Sequence, residues 1–327
     1  MTNALLDSPA ESLFTLSAKE KSETARIAEE LRSVSNEVDS GSWVAAARSA
    51  WEELPVELRR RIREFRRHSG TGGALLVRGL PVGVDALGPT PTVDGSVQRT
   101  TSGPSALLLM TACGLGDPVA FRAEKSGALV QDVVPVPGRE EFQGNAGSVD
   151  LMMHNENAFH GHRPDYVMLL CLRPDHEKVA GLTTSSIREA LPLLSAEARD
   201  SLARPEFATL PPPSFGSSGG STSEHAVLTG SSDDPEIRID FAATEGLTTA
   251  ASAALTELSS ALVRVSHTTR MRAGDLAIVD NRVSLHGRTA FRPRYDGQDR
   301  WLQRTFVVKD LKRSRHMRPH DGYVLTR

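Results

Sequence analysis

Cysteine is nearly absent: Cys113 and Cys171 are the two in 327 residues, and both lie in apolar runs. That excludes a disulfide framework and fits buried free thiols in a reducing compartment. An excess of positive charge is also missing. Lysine and arginine number 38 against 41 acidic residues, a formal net charge of −3, which argues against a nucleic-acid binder with a basic face. No apolar run is long enough for a bilayer, and even Ser105 to Leu115 falls far short. The N-terminus has no basic segment followed by an apolar one, so no secretory leader is expected. The expected location is cytoplasmic, with no membrane, nucleic-acid or obligatory protein partner. Internal repeats are not visible. The length suits one large domain or two small ones; the expectation is a single domain over 1–327, with 1–15 frayed.

What is present divides into helices, then strands. Ser17 to Ser33 reads as a helix, with Ser17 and Glu20 forming a capping box. Ser42 to Arg67 holds one or two more, with Pro55 opening the second. Gly73 to Gly79 is a short buried strand, and Val82 to Pro104 a long connection. Ser105 to Cys113 is a buried helix ended by Gly114 and Gly116. Strands dominate from Ala128: Leu129 to Val136, Tyr166 to Leu172, Asp275 to Asp280 and Arg300 to Val308 are rich in β-favouring residues. Ser195 to Arg204 and Thr249 to Thr268 interrupt them as helices. The segment 211–223, PPPSFGSSGGSTS, cannot be regular structure and is a candidate active-site lid. Lys309 to Arg318 is a basic, solvated tail. Many strands with helical additions predict a mainly β, jelly-roll-like, cupin-like fold with room for a metal between two sheets.

The chemistry points to His154-Asn155-Glu156, with His286 and Arg300 far downstream. Two imidazoles and one carboxylate, without cysteine, suit a non-haem Fe(II) that keeps open positions. In an extended strand residues i and i+2 share a side, so His154 and Glu156 can face one metal while Asn155 faces away. Chance is the competing explanation, because H-x-E is short and the chain has ten histidines. Arg300 entering a buried strand calls for an anionic partner, which a co-substrate carboxylate would supply.

The stretches HNENAFH (154–160) and RPDYVMLLCLR (163–173) resemble the clavaminate-synthase-like branch of Fe(II)/2-oxoglutarate dioxygenases. Within it they are similar to the asparagine oxygenases of nonribosomal lipopeptide pathways. MTACGLGD (110–117), GALVQDVVPVPG (127–138), EFQGNAGS (141–148) and Gly274 to Val308 carry the same likeness. It extends from about Trp51 to Tyr323, and 216–223 is among the least similar parts.

The resemblance implies a double-stranded β-helix, with iron held at His154, Glu156 and His286. It implies 2-oxoglutarate on the metal, its distal carboxylate on Arg300 assisted by Thr184, and O₂ as oxidant. For a free amino acid it implies Arg304 for the α-carboxylate and Glu124 for the ammonium. Asn145 and Asp240 would read the side-chain amide. Plainer roles stay open for several of these. Thr184 can be an ordinary strand hydroxyl, Glu124 can pair with Lys125, and Asn145 can be only a turn residue. Asp240 can pair with Arg238 across an alternating strand, and Arg304 can be exposed.

The expected reaction is hydroxylation of Cβ of free L-asparagine to 3-hydroxyasparagine, with succinate and CO₂, as antibiotic precursor supply. Alternatives are the same chemistry on L-arginine or a carrier-bound amino acid. A single acid at Asp240 suits an amide better than a guanidinium. A non-enzymatic cupin-like binding protein is the reading from another class, and the intact His, Glu, His and Arg set argues against it.

Overall fold

The computed structural model describes residues 12–215 and 223–326. Residues 1–11, and 216–222 of the expected lid, lie outside the described residues. Helix α1 (Ala18–Arg32) starts at the Ser17/Glu20 capping box. Such a cap stabilises a helix start by roughly 1 kcal/mol. Two helices follow, α2 (Gly41–Glu53) and α3 (Val56–Arg67), separated at Pro55. Helix α4 (Gly103–Leu115) begins earlier than the sequence suggests, because Ser102 caps it and Pro104 sits in its first turn, where no backbone donor is needed. Every residue from Pro104 to Leu115 is buried, so α4 shows no polar stripe. Gly114 lies inside the helix rather than ending it; a Cβ there would stand 2.5 Å from the Trp51 ring, so the close packing of α4 on α2 calls for glycine.

Strands form two main sheets. The larger has nine, with Leu13–Thr15, Ala74–Arg78, Leu276–Asp280, Tyr166–Arg173, Trp301–Val308, Asp117–Phe121 and Val324–Leu325 side by side. Val130–Val133 also pairs with Trp301–Val308, and Val97–Gln98 joins it. The smaller sheet runs His267–Arg270, Gly181–Ser186, Ser284–Arg288, Leu151–His154, all antiparallel.

Alternation along the strands builds two cores back to back. Tyr166, Met168, Leu170 and Leu172 pack against helices α1 to α4. Val167, Leu169 and Cys171 point the other way, into the space shared with Leu302, Phe306 and Leu182. A strand buried on both faces reads as a continuous apolar run. The third core lies outside the smaller sheet, where Ala251, Ala254, Leu258 and Leu262 of the helix Thr249–Arg264 cover Leu285 and Ile187.

Further expectations need correction. Leu13–Thr15 is not frayed but pairs in parallel with Leu76–Arg78. The connection 82–104 contains the short strand Val97–Gln98 and the start of α4. The helix from Thr249 stops at Arg264, because His267–Arg270 is recruited as an edge strand beside Gly181–Ser186. Arg318 in the basic tail is buried, its guanidinium donating to Ser314 Oγ and the Leu311 carbonyl at 3.0 and 2.8 Å. Among the described residues no helix is long and apolar enough to cross a membrane.

Candidate active site

His154 and His286 are direct partners across adjacent strands, their ring centroids 4.4 Å apart. Gly287 permits the close approach: a Cβ there would fall 2.6 Å from the Leu151 carbonyl oxygen. The strand Leu151–His154 ends at His154, so Glu156 lies in the turn that follows rather than in an extended strand. The carboxylate still returns to the imidazoles, because Asn281 clamps the turn. Asn281 Oδ1 accepts from the Glu156 amide at 2.8 Å, and its Nδ2 donates to the Glu156 carbonyl at 3.0 Å. Asn155 does face away; its Nδ2 donates to the carbonyls of Asn281 and Ser284.

Ligand atoms of His154, Glu156 and His286 lie within 4.8 Å of one another. The donor set fits a divalent iron. His154 Nδ1 stands 2.9 Å from the Met152 carbonyl oxygen; a carbonyl can only accept, so the proton is on Nδ1 and the Nε2 lone pair is free. Glu156 Oε2 is buried without a hydrogen-bond partner, 3.5 Å from His286 Nε2. A buried carboxylate oxygen facing two imidazoles is a position that a cation satisfies. Burial alone would raise the Glu156 carboxyl. The Arg304 charge and the two imidazoles outweigh it and hold the group well below the usual carboxylate range. Burial and then His154 depress His286, which keeps its imidazole neutral, the form that binds metal.

Arg304 is buried, not exposed, and gathers the remaining polar groups. Its Nη1 donates to Glu156 Oε1 at 2.8 Å, and its Nη2 to Glu124 and Gln131. Asn145, with its amide oxygen turned to the guanidinium, accepts from Nη1 and Nη2 at 3.1 Å; it also sits in a turn. Glu124 does not pair with Lys125, whose ammonium goes to the carbonyls of Ser96 and Asp132. Burial, with the Glu156 charge adding, pushes Glu124 above the usual range against the pull of Arg304.

Asp240 is placed by an isolated antiparallel bridge to His154, beyond the regular strand Pro235–Ile237. The alternating strand expected through Phe241 therefore ends early. Nor does Asp240 pair with Arg238, which donates to the carbonyls of Ala158 and Phe159. Thr184 stands opposite His286 in register and shares its face. No hydrogen bond between Thr184 and Arg300 is present. Arg300 directly precedes the strand Trp301–Val308 and is buried, 5.6 Å over the Phe291 ring. Among the described residues no carboxylate pairs with it, and burial lowers its pKa.

Gln131, Asn281, Asn157 and Arg288 went unread in the sequence. Asn157 donates to Glu124 at 3.5 Å. Arg288 lies two residues after His286, buried, with its Nε unpartnered. Gln131 and Asp132 were visible as a polar pair inside an apolar strand; Asn281 gave no sequence signal, since its partner is over a hundred residues away.

The model of the taurine catabolism dioxygenase TauD, TfdA family matches residues 63–306. The chain belongs to this dioxygenase family. It is 61% identical to the L-asparagine oxygenase of Streptomyces coelicolor over 88% of this chain and 86% of that protein. It is 33% identical to the L-lysine 3-hydroxylase of Catenulispora acidiphila, over 98% of this chain and 90% of that one. Among solved structures, asparagine oxygenase in complex with Fe(II), 2S,3S-3-hydroxyasparagine and succinate superposes with a TM-score of 0.94. That pair is 57% identical and covers 97% of this chain and 99% of the other.

Proposed function

We propose that this dioxygenase hydroxylates Cβ of free L-asparagine to 3-hydroxyasparagine, consuming 2-oxoglutarate and O₂ and releasing succinate and CO₂. The observation that carries the reading is the likeness to L-asparagine oxygenase across nearly the whole chain, joined to the buried His154, Glu156, His286 group. Those three residues would hold Fe(II), which supplies the oxidising power that no side chain has. Arg300 would take the distal carboxylate of 2-oxoglutarate, with Thr184 on the neighbouring strand. Arg304 would take the substrate α-carboxylate and Glu124 its ammonium. Asn145 would donate to the amide oxygen and Asp240 would accept from the amide nitrogen. Those contacts would orient Cβ toward the metal, and substrate seated between the sheets would exclude water.

In this reading the two facing sheets form the double-stranded β-helix of one catalytic domain over 1–327. The two free buried cysteines suit a cytoplasmic enzyme. Succinate release from 2-oxoglutarate with Fe(II), with and without each free proteinogenic amino acid, tests the proposal alongside mass spectrometry for one added oxygen. The expected outcome is asparagine-dependent succinate and a gain of one oxygen. It disappears when His154, Glu156 or His286 becomes alanine. Oxidation of arginine instead, or of no free amino acid, overturns it.

A further inference from the structure

A second group of metal-ligating side chains lies outside the site just described. His176, in the loop after Tyr166–Arg173, meets Asp296 and Asp299 from the segment that leads into Arg300. One ligand atom from each lies within 4.8 Å of the others. His176 Nε2 stands 3.2 Å from Asp296 Oδ1 and 3.7 Å from Asp299 Oδ1.

An acidic pair beside a histidine would not by itself indicate a ligand. The deciding observation is Asp299. Its side chain is 2% exposed, and Oδ2 is buried with no hydrogen-bond partner. The other oxygen already accepts from the Arg294 amide at 2.7 Å. An orphaned carboxylate oxygen in a dry setting is costly unless a cation meets it. Asp296 is 46% exposed, so the group opens to solvent on one side. Water could complete a coordination sphere there.

We infer that His176, Asp296 and Asp299 form a second divalent-cation site, structural in role and suited to zinc. One imidazole with two carboxylates favours a borderline first-row cation over calcium or magnesium, which prefer oxygen alone. The bound ion would join the loop 174–180 to the segment 292–299. That segment is already held by Thr90, whose amide donates to the Gly297 carbonyl at 2.9 Å and whose hydroxyl donates to the Asp299 carbonyl at 2.7 Å. The tie would fix the chain immediately before Arg300. This inference does not depend on which amino acid the enzyme oxidises.

The test uses the full chain with the first site disabled, His154→Ala/His286→Ala, stripped with chelator and dialysed against micromolar Zn²⁺. Metal content is then counted by mass spectrometry. The expected result is one zinc per chain and a raised Tm on zinc addition. Adding Asp296→Asn, at an exposed position that tolerates the change, should weaken zinc binding by about tenfold or more. Adding His176→Ala should remove it. No zinc in the disabled protein would overturn the inference and leave the cluster as a hydrogen-bonded group without an ion. Zinc that persists unchanged through both added substitutions is an adventitious ion only, and overturns it equally.

Discussion

Asn281→Ala should unfold the candidate iron site from behind. Asn281 is fully buried, and its amide makes three bonds: from the Glu156 amide at 2.8 Å, to the Glu156 carbonyl at 3.0 Å and to the Pro164 carbonyl at 2.9 Å. The substitution strands one buried N–H and two carbonyls. Each such group costs about 1–3 kcal/mol, with carbonyls at the low end because they have two lone pairs and looser demands. The sum is roughly 3–5 kcal/mol, a large part of a typical margin of about 5–15 kcal/mol. Water entering the vacated space would bring the loss toward the low end. The turn holding Glu156 would also lose its clamp, so Fe(II) affinity should fall by about 10–100-fold, as when a ligand's supporting partner is removed. Urea unfolding of metal-free protein reads the first effect, and anaerobic Fe(II) titration reads the second. Asn281→Asp separates the bonds: it keeps the acceptor for the Glu156 amide but sets a carboxylate against two carbonyl oxygens, so it should be no better than alanine. A variant within about 1 kcal/mol of the parent, with unchanged Fe(II) affinity, would refute the reasoning.

The two inward arginines should separate by substrate. Arg300→Ala should raise the KM for 2-oxoglutarate on the order of a hundredfold, the loss expected when a buried charge partner goes. Arg304→Lys, which keeps charge beside Glu156 but loses the planar fork, should raise the KM for the amino acid; a shift of the same KM in both would contradict the assignment. Asp240→Asn should lose asparagine turnover and gain aspartate turnover, because it removes a repulsive carboxylate and adds a donor. The measurement is the ratio of hydroxyaspartate to hydroxyasparagine from an equal mixture, and an unchanged ratio would show that Asp240 does not read the side chain. For pH, burial and then His154 hold His286 below the usual imidazole range. The unfolded chain takes up a proton near its ordinary value of about 6.5, while the folded chain does not. The contribution is therefore fully present above about 6.5 and is lost as pH falls toward the folded value. Metal-free stability should drop as pH falls below about 6.5, and His286→Gln should flatten that slope; equal slopes would exclude the mechanism.

The sequence alone determined the features that rest on local chemistry. The Ser17/Glu20 cap needs only neighbouring residues, and α1 begins where they place it. The strands Tyr166–Arg173 and Leu276–Asp280 announce themselves as apolar runs because both faces are buried. His154, Glu156 and His286 were legible because few purposes call for those donors together, and the fold does bring them together. Tertiary structure decided the rest. His267 and Thr268 read as the end of a helix until Gly181–Ser186 offers an edge to pair with, and the cross-strand bonds outweigh weak helix propensity. Glu156 reaches the imidazoles from a turn, held by Asn281 from more than a hundred residues away. The resemblance named Arg304 for a substrate carboxylate, but only the packing shows Glu124, Gln131, Asn145 and Glu156 converging on it from four separate segments. A buried charge must find its partners wherever the fold sets them. Sequence spacing shows which side chains can share a strand face, but only the packed sheets decide which faces meet.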